Sequence, residues 1–422
     1  MPNRGRLLLV LLLGLAACTA PDGGDEGGTG TEPGAAPGAA IDAAADDDDG
    51  RDGSAPSTTG APAVAVAPPA VGRADITPAG NRVLAGAGRL DRVAPLDVEL
   101  PGTPVLVLPV VEPATAPGAA NLTGAAGPAT GDWVVELDGG QRVMVEADGT
   151  VTPLAPPPAP AASARDRFDD PLPDGVVVAA GEITAALVGP TDRYRHGVLG
   201  DRIEAGGVQV VDTTTGRSVT FGPEPPSVIE GIAPLLADLT GDGTFEVLVT
   251  HSNAEVGAWL AVWSPSGRLV AESAAIGQGN RWRNQLAVAP VGPGGEMEVI
   301  DVRTPHLGGT VEYFRLAGDR LERMATQTGF TSHAIGSRNL DLALVVDADG
   351  DGRLDVVTPA DDRGSLGILT RSADEDDGVA VVAEVELPGR MTTNLGAAAD
   401  AGGRVTFAVG TDTGMLRIWA AN

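Results

Sequence analysis

Two nine-residue stretches place oxygen side chains at spacings suited to a hard cation. In residues 347–355, Asp347, Asp349, Asp351 and Asp355 occupy positions 1, 3, 5 and 9, and Gly352 at position 6 permits a sharp turn. Ca²⁺ takes about six to eight oxygen ligands, and a tightly wound loop brings alternate side chains and the position-7 carbonyl, here Arg353, onto one centre. Residues 238–246 repeat the pattern with Asp238, Thr240, Asp242 and Glu246, and the Thr244 carbonyl at position 7. Asp-Gly is also a common hairpin signal, so solvated acids in a turn are the alternative reading. Four carboxylates crowded into nine residues repel one another, however, and a bound cation removes that cost. Two structural Ca²⁺ sites are therefore expected. The corresponding stretches 290–298 and 398–406 have lost most of their acidic positions and are expected to be metal-free.

The rest of the chemistry is bounded by what is missing. All 28 basic residues are Arg and there is a single Cys, which removes a phosphate-loop or Schiff-base Lys, a disulfide and a Cys-ligated zinc site. No GxSxG elbow or HExxH helix is present, and the acids are too numerous for one pair to stand out as a glycosidase dyad. A binding role is favoured over an enzyme. The net charge of −29 argues against nucleic acid as a partner, because phosphate binding needs a basic face.

The sole Cys, Cys18, follows Arg4, Arg6 and an apolar run over residues 7–17 that is too short to span a bilayer and suits a secretory leader. Leu15-Ala16-Ala17-Cys18 resembles a bacterial lipobox, which implies acylation of Cys18; an ordinary signal peptide with a chance Cys is the alternative. Residues 19–75 contain eleven acids, two Arg and almost no large apolar side chain. Such a segment cannot bury enough surface to offset its chain entropy and is expected to be a disordered acidic tether rich in Gly, Ala and Pro. The organisation read from the sequence is thus a lipoprotein signal peptide over 1–18, a tether over 19–75 and a folded domain over 76–422. It would be anchored by lipid to the bacterial cell envelope, on the outer membrane or the periplasmic or extracellular face.

The elements that must hold these loops are short strands. From about residue 104, runs of Val, Leu and Ala alternate with Gly, Pro and Asp clusters, without a helical period. Hydrophobic residues make up 43% of the chain but aromatics only 3%, so the core must be aliphatic. Aligning Glu246, Glu298, Asp355 and Thr406, each on an apolar strand, gives spacings of 52, 57 and 51 residues. Asn284, Asn339 and Asn394 give a second register at intervals of 55 and 55. A period near fifty with about four strands per repeat is the signature of β-propeller blades. Regions 104–153 and 176–221 fit as earlier blades. The last repeat has room for only three strands, so a segment within residues 74–100 is expected to complete it. The expected fold is all-β, a β-propeller of six blades with seven as the alternative, closed by an N-terminal strand in the last blade. Two tandem sandwiches are the competing architecture.

The DxDGDGxxD and DxTGDGxxE loops, each running into a Val-rich strand within this repeat, resemble the VCBS and FG-GAP repeats of bacterial surface proteins and of integrin α-chain propellers. The resemblance implies that each loop joins the first and second strands of a blade and binds Ca²⁺ on one rim. It implies as ligands Asp347, Asp349, Asp351, Arg353 (carbonyl) and Asp355, and Asp238, Thr240, Asp242, Thr244 (carbonyl) and Glu246. The Phe-Gly and Gly-Ala-Pro elements are not evident, so the likeness speaks to architecture rather than adhesion.

With the metal loops on one rim, the loops entering each first strand and those joining strands two and three emerge on the other. That face would receive Glu230, Asn284, Asn339 and Asn394, with Arg281, Trp282, Arg283 and Arg338 beside them and His251, His306 and His333 nearby. Two readings stand for this face: a site for a polar ligand, on a protein or a glycan, or, the one favoured for these residues, Asn side chains that cap tight turns and Arg groups that pair with neighbouring acids. A hydrolase or lyase with its site at the channel mouth is the alternative. It would require a His pair, or a His and a carboxylate, within hydrogen-bond reach. Residues 193–196 (Arg-Tyr-Arg-His) form another basic, aromatic cluster that the sequence assigns to neither face.

Overall fold

Strand-forming residues dominate the chain, and the structure, a computed structural model, describes residues 76–78, 80–112, 128–156, 164–375 and 377–420. The leader, Cys18 and the tether lie outside the described residues. Three N-terminal strands come first: β1 (Ile76–Pro78), β2 (Val83–Ala87) and β3 (Leu96–Glu99). Unit 1 is β4 (Pro104–Val111), β5 (Ala129–Leu137), β6 (Arg142–Val145) and β7 (Val151–Leu154). Unit 2 is β8 (Val177–Ala180), β9 (Ile183–Thr191), β10 (Glu204–Asp212) and β11 (Ser218–Phe221). A two-residue strand, β12 (Val228–Ile229), leads to unit 3: β13 (Leu235–Ala237), β14 (Glu246–Asn253), β15 (Gly257–Trp263) and β16 (Leu269–Ser273). Unit 4 is β17 (Arg283–Ala289), β18 (Glu298–Arg303), β19 (Thr310–Ala317) and β20 (Arg320–Thr328). Unit 5 is β21 (Leu344–Asp347), β22 (Asp355–Pro359), β23 (Ser365–Arg371) and β24 (Val379–Glu386). Unit 6 contributes β25 (Gly396–Ala399), β26 (Val405–Gly410) and β27 (Met415–Trp419). Among the described residues the only helix is a four-residue 3₁₀ turn, Ala164–Arg167, and no helix is long and apolar enough to cross a membrane.

Each unit is an antiparallel meander, and the alignment residues Glu246, Glu298 and Asp355 each open a second strand. The period near fifty is therefore the length of one four-strand unit. The fourth strand of unit 6 is β3, which pairs antiparallel with β27 through Leu96–Ile418 and Glu99–Met415. Second strands such as β14 are buried almost along their whole length, whereas fourth strands such as β24 alternate or are exposed. A sheet buried on both faces near its inner edge and solvated at its outer edge must stand between two neighbours.

Those neighbours are visible in the core. Val247 and Val249 pack with Val208 and Leu187, joining units 3 and 2, and Leu260 and Val262 pack with Val299 and Phe314, joining units 3 and 4. Tyr313 meets Val356, joining units 4 and 5; Ile368 meets Phe407, joining 5 and 6; Ile418 meets Trp133, joining 6 and 1. Residues leading into or lying on the first strands of all six units line one cavity of ≈ 160 Å³. Sheets radiating from a shared axial cavity make this a propeller-type, all-β fold, with the aliphatic core that the composition demands.

The N-terminal strands are a strap across this axis. β1 pairs parallel with the inner strand β8 of unit 2, and β2 pairs parallel with the inner strand β21 of unit 5. Between them Asn81 grips Val288 of unit 4 at both backbone groups, each at 2.9 Å. The strap then continues along the 347–355 loop, where the Gly88 and Leu90 amides donate to the carbonyls of Asp347 and Ala348.

Candidate functional site

The two carboxylate loops have the same backbone template. Asp347 accepts hydrogen bonds from the Gly350 and Gly352 amides (2.7 and 3.0 Å), and Asp238 from Gly241, Asp242 and Gly243 (2.7, 3.0 and 2.9 Å). Both glycine pairs have left-handed φ, 75° and 89° in one loop and 75° and 84° in the other, which other residues adopt with strain. The side chains then diverge. Asp347, Asp349 and Asp355 converge so that one carboxylate oxygen of each lies within 4.8 Å of the others. Asp355 is buried against the Ala348 amide and the Thr370 hydroxyl, and burial pushes its carboxyl up to about 6, with Asp349 and Asp351 adding to the rise. Asp351 is exposed, accepts the Arg353 amide at 2.7 Å and stands outside this cluster.

In the other loop Thr240 takes the place of the third carboxylate. Its hydroxyl donates to Glu246 at 3.1 Å, and Glu246 also accepts the Leu239 and Thr240 amides at 2.8 and 3.3 Å. Asp242 turns outward onto the Thr244 amide at 2.7 Å. Asp238, Asp242 and Glu246 thus form no three-carboxylate cluster among the described residues. A hard cation fits the first donor set directly, since three converging carboxylates, Asp347 and Asp355 buried and Asp349 half-buried, call for positive charge. Both loops give their acids backbone and hydroxyl donors, and the second lacks only the third converging carboxylate.

At the opposite ends of the strands, the expected ligand residues divide into three groups. Glu230, Trp282, Arg283, Asn284, Arg338 and Asn394 line the axial cavity. Several of them act mainly as clamps: Asn394 engages both backbone groups of Val107 in the adjacent unit (2.9 and 2.8 Å), and Asn284 donates to Ser332. Arg283 is held by Asp301 and Glu312 at 2.6 and 2.8 Å, and Arg338 bridges Asp174 and Asp201. His306 and His333 instead border a second cleft of ≈ 180 Å³ with Thr331, Asp361 and Arg363. His251 joins neither group. It is buried in unit 3 edge-on to Trp259, because its place in the middle of the sheet (on β14) turns it into the packing rather than onto a loop. Arg281 and Asn339 line neither cavity; the Arg281 guanidinium bonds the Asn280 carbonyl and Asn339 caps the turn at Asp341.

The histidine cluster is built on Trp282. Its indole is 3% exposed, donates to the Glu230 carbonyl at 3.2 Å, stacks on His306 (centroids 6.0 Å apart) and meets His333 edge-on at 5.1 Å. His306 Nε2 lies 2.5 Å from His333 Nδ1, and His333 Nε2 lies 2.7 Å from the Ser337 carbonyl. Burial depresses both imidazoles to about 4, so both are neutral at pH 7. His196, from the 193–196 cluster, also reaches this face: its Nδ1 is 2.7 Å from the buried carboxyl of Glu230, whose other oxygen receives Ser252 at 2.5 Å. Burial raises the Glu230 carboxyl. Sequence reasoning singled out His196 without assigning it to a face, and missed Ser252, Asp361 and Arg363. Extending the repeat phase back to unit 2 would have put His196 on a loop between strands two and three, hence on this rim.

Among the described residues, three of the four non-glycine residues with left-handed φ, Asn280, Thr304 and Arg363, lie beside this cluster. Such conformations persist where surrounding structure over-determines them and concentrate at functional sites. The two most exposed large apolar side chains among the described residues, Leu307 (62%) and Ile335 (74%), sit on the loops that carry His306 and His333.

No family model matches the sequence, and no curated protein matches it. Solved structures do. A structure described as the Dos1 propeller is 9% identical with a TM-score of 0.35, over 78% of this chain and 95% of that one. A Lactobacillus plantarum protein is 13% identical with a TM-score of 0.34, over 78% and 93%. The quinohemoprotein alcohol dehydrogenase of Comamonas testosteroni is 11% identical with a TM-score of 0.29, over 78% of this chain and 48% of that one. At such scores the propeller assignment rests on the strand topology and the shared axial cavity.

Proposed function

We propose that this chain is a calcium-stabilised, six-bladed propeller lipoprotein of the bacterial cell envelope, with VCBS/FG-GAP-like repeats, that binds a protein partner through the rim opposite its carboxylate loops. In this reading β3 closes the ring by completing the blade of β25–β27, and the Cys18 lipid holds the domain at the membrane. The observation that carries the binding role is the pair Leu307 and Ile335, exposed on neighbouring loops around a polar cleft. An apolar pair rimmed by polar groups is the usual make-up of a contact surface. It favours a protein over a glycan, because the Trp282 indole at this rim is buried and offers no face for a sugar. Bound Ca²⁺ would supply positive charge that neutralises the carboxylate triad and stiffens its blade.

The test compares binding of the purified domain to cell-envelope fractions for the wild type and for Leu307→Asp/Ile335→Asp. Loss of binding in the variant with an unchanged melt supports the reading, and equal binding overturns it. Anchoring is tested separately: Cys18→Ala should move the protein to the soluble fraction, and persistent membrane association would refute lipidation. A hydrolase or lyase is the second reading, favoured by the hydrogen-bonded pair His306–His333. It requires turnover of an envelope-derived ester or glycoside that His306→Ala abolishes.

A further inference from the structure

The N-terminal strap carries a guanidinium onto the propeller axis. The Arg82 amide donates to the Leu286 carbonyl of unit 4 at 3.3 Å, and its own carbonyl accepts the Val345 amide of unit 5 at 2.7 Å, so its backbone is fixed on both sides. Its side chain lines the axial cavity. Nε and Nη2 lie 3.5 and 3.3 Å from the carbonyls of Ala343 and Leu395, and Nη1 lies 3.7 Å from Asp341 Oδ2. A guanidinium bonded to a carboxylate sits at about 2.7–2.9 Å. Nη1 thus has no hydrogen bond among the described residues, and it is not among the polar atoms sealed in protein. The other two Arg residues of the lining are engaged: Arg283 by Asp301 and Glu312 at 2.6 and 2.8 Å, and Arg338 by Asp201 and Asp174 at 2.7 and 2.9 Å. Glu230, the buried acid of the lining, has one oxygen taken by His196 and the other by Ser252.

Much of the remaining lining is aliphatic, including Leu84, Leu106, Ile229 and Leu395. On the rim away from the carboxylate loops the cavity is roofed. Val198 and Leu199, in the loop between β9 and β10 of unit 2, pack with the lining residues Val176, Ile232, Trp282 and Leu340. The loop entering unit 5 meets them there: the Gly336 amide donates to the Val198 carbonyl at 2.9 Å, and Arg338 binds Asp201. Units 2 and 5 lie three apart in the series, so these loops meet across the axis. An apolar enclosure with few polar groups, one of them a free charged donor, is the make-up of a small-ligand site. The cavity has ≈ 160 Å³, and a space on the order of 150 Å³ holds about six non-hydrogen atoms. We propose that the axial cavity binds a free short-chain monocarboxylate, its oxygens on Arg82 Nη1 and Nη2 in place of the distant Asp341 and Leu395 contacts, its alkyl chain against the aliphatic wall. A volume this small behind a roof excludes a peptide or a lipid chain.

The experiment is an NMR titration of the purified protein with butyrate, read on Leu, Val and Ile methyl resonances, with butyramide as the uncharged isostere. Butyrate should shift a limited set of methyls saturably, and butyramide should bind roughly tenfold more weakly or worse. Arg82→Gln should weaken butyrate by a similar factor. Asp341→Asn removes the carboxylate that competes for Nη1 and should tighten butyrate; it leaves the backbone bonds of Arg82 intact, so it decides the matter if Arg82→Gln disturbs the strap. The proposal is overturned by the absence of a saturable shift, by equal affinity for butyrate and butyramide, by a folded Arg82→Gln variant that binds like the wild type, or by an Asp341→Asn variant that binds no tighter. Shifts confined to Leu307 and Ile335 would put the carboxylate on the outer rim and would also overturn it. Neither residue lines the axial cavity, so the result separates from the test of partner binding.

Discussion

The loop at 347–355 and the loop at 238–246 share glycine positions, backbone turns and a strand-opening acid, yet only the first gathers three carboxylates. The difference traces to position 3. Asp349 adds a third charge beside Asp347 and Asp355, whereas Thr240 supplies a hydroxyl that satisfies Glu246 without one. Two further units extend the series. In unit 4 the equivalent acid, Glu298, is fully buried and bound by Arg371 of unit 5 (2.8 Å) and by Arg315 (2.8 Å), so guanidinium groups occupy the role of a cation. In unit 6 the position is Thr406, with no charge to neutralise. The acid at the head of strand two thus meets a different set of partners in units 3, 4 and 5, and in unit 6 it is replaced by Thr.

The largest effect should come from removing the guanidinium solution. Arg371→Ala leaves Glu298 short of its closest buried partner and should cost about 3–5 kcal/mol in chemical denaturation; a loss below about 1 kcal/mol would mean Arg315 alone compensates the acid. Calcium comes next. At a concentration about one hundred times Kd, Ca²⁺ should add roughly 2.7 kcal/mol, a melting shift of several degrees that chelator reverses. Asp347→Asn should remove most of that shift and Asp238→Asn the smaller part; equal effects would erase the contrast between the loops.

Conversion of one loop into the other is a third test. Thr240→Asp restores the missing carboxylate and should tighten Ca²⁺ at the 238–246 loop about tenfold, roughly 1.4 kcal/mol, in a calorimetric titration. The smallest effect changes sign with metal. Burial raises Asp355 from 3.8 to about 6, so the metal-free fold holds the proton more tightly than the unfolded chain does. That stabilising contribution is full below pH 3.8 and lost as pH rises through 6. Asp355→Asn should thus stabilise the metal-free protein at pH 7, yet destabilise it relative to wild type when Ca²⁺ is saturating. Destabilisation in both states would show that the hydrogen bonds of Asp355 outweigh its desolvation.

Much of this arrangement was legible in the chain. Alternating short strands and a recurrent apolar register gave the all-β repeat, because strand periodicity and unit length are local properties. The N-terminal strand beside the last three was legible from a missing fourth strand, and β3 does pair with β27. His306, His333 and Trp282 were legible as neighbours because their loops leave the same ends of antiparallel strands. The clamping roles of Asn394 and Arg283 were not, since Val107 lies 287 residues from Asn394 and no spacing connects them.

By itself, then, the sequence determined which oxygens and imidazoles exist, their order along each strand and the rim on which a loop must emerge, since chain geometry over nine or fifty residues suffices for that. Tertiary structure alone decided which of those groups converge. Thr370 on the next strand holds Asp355 in place, Arg371 from the neighbouring unit neutralises Glu298, Glu230 draws in His196, and the packing of Trp259 keeps His251 away from the cleft. A buried charged or polar group is settled by whichever partner the neighbouring sheet brings within about 3 Å, and that partner is fixed by the packing of units far apart in sequence.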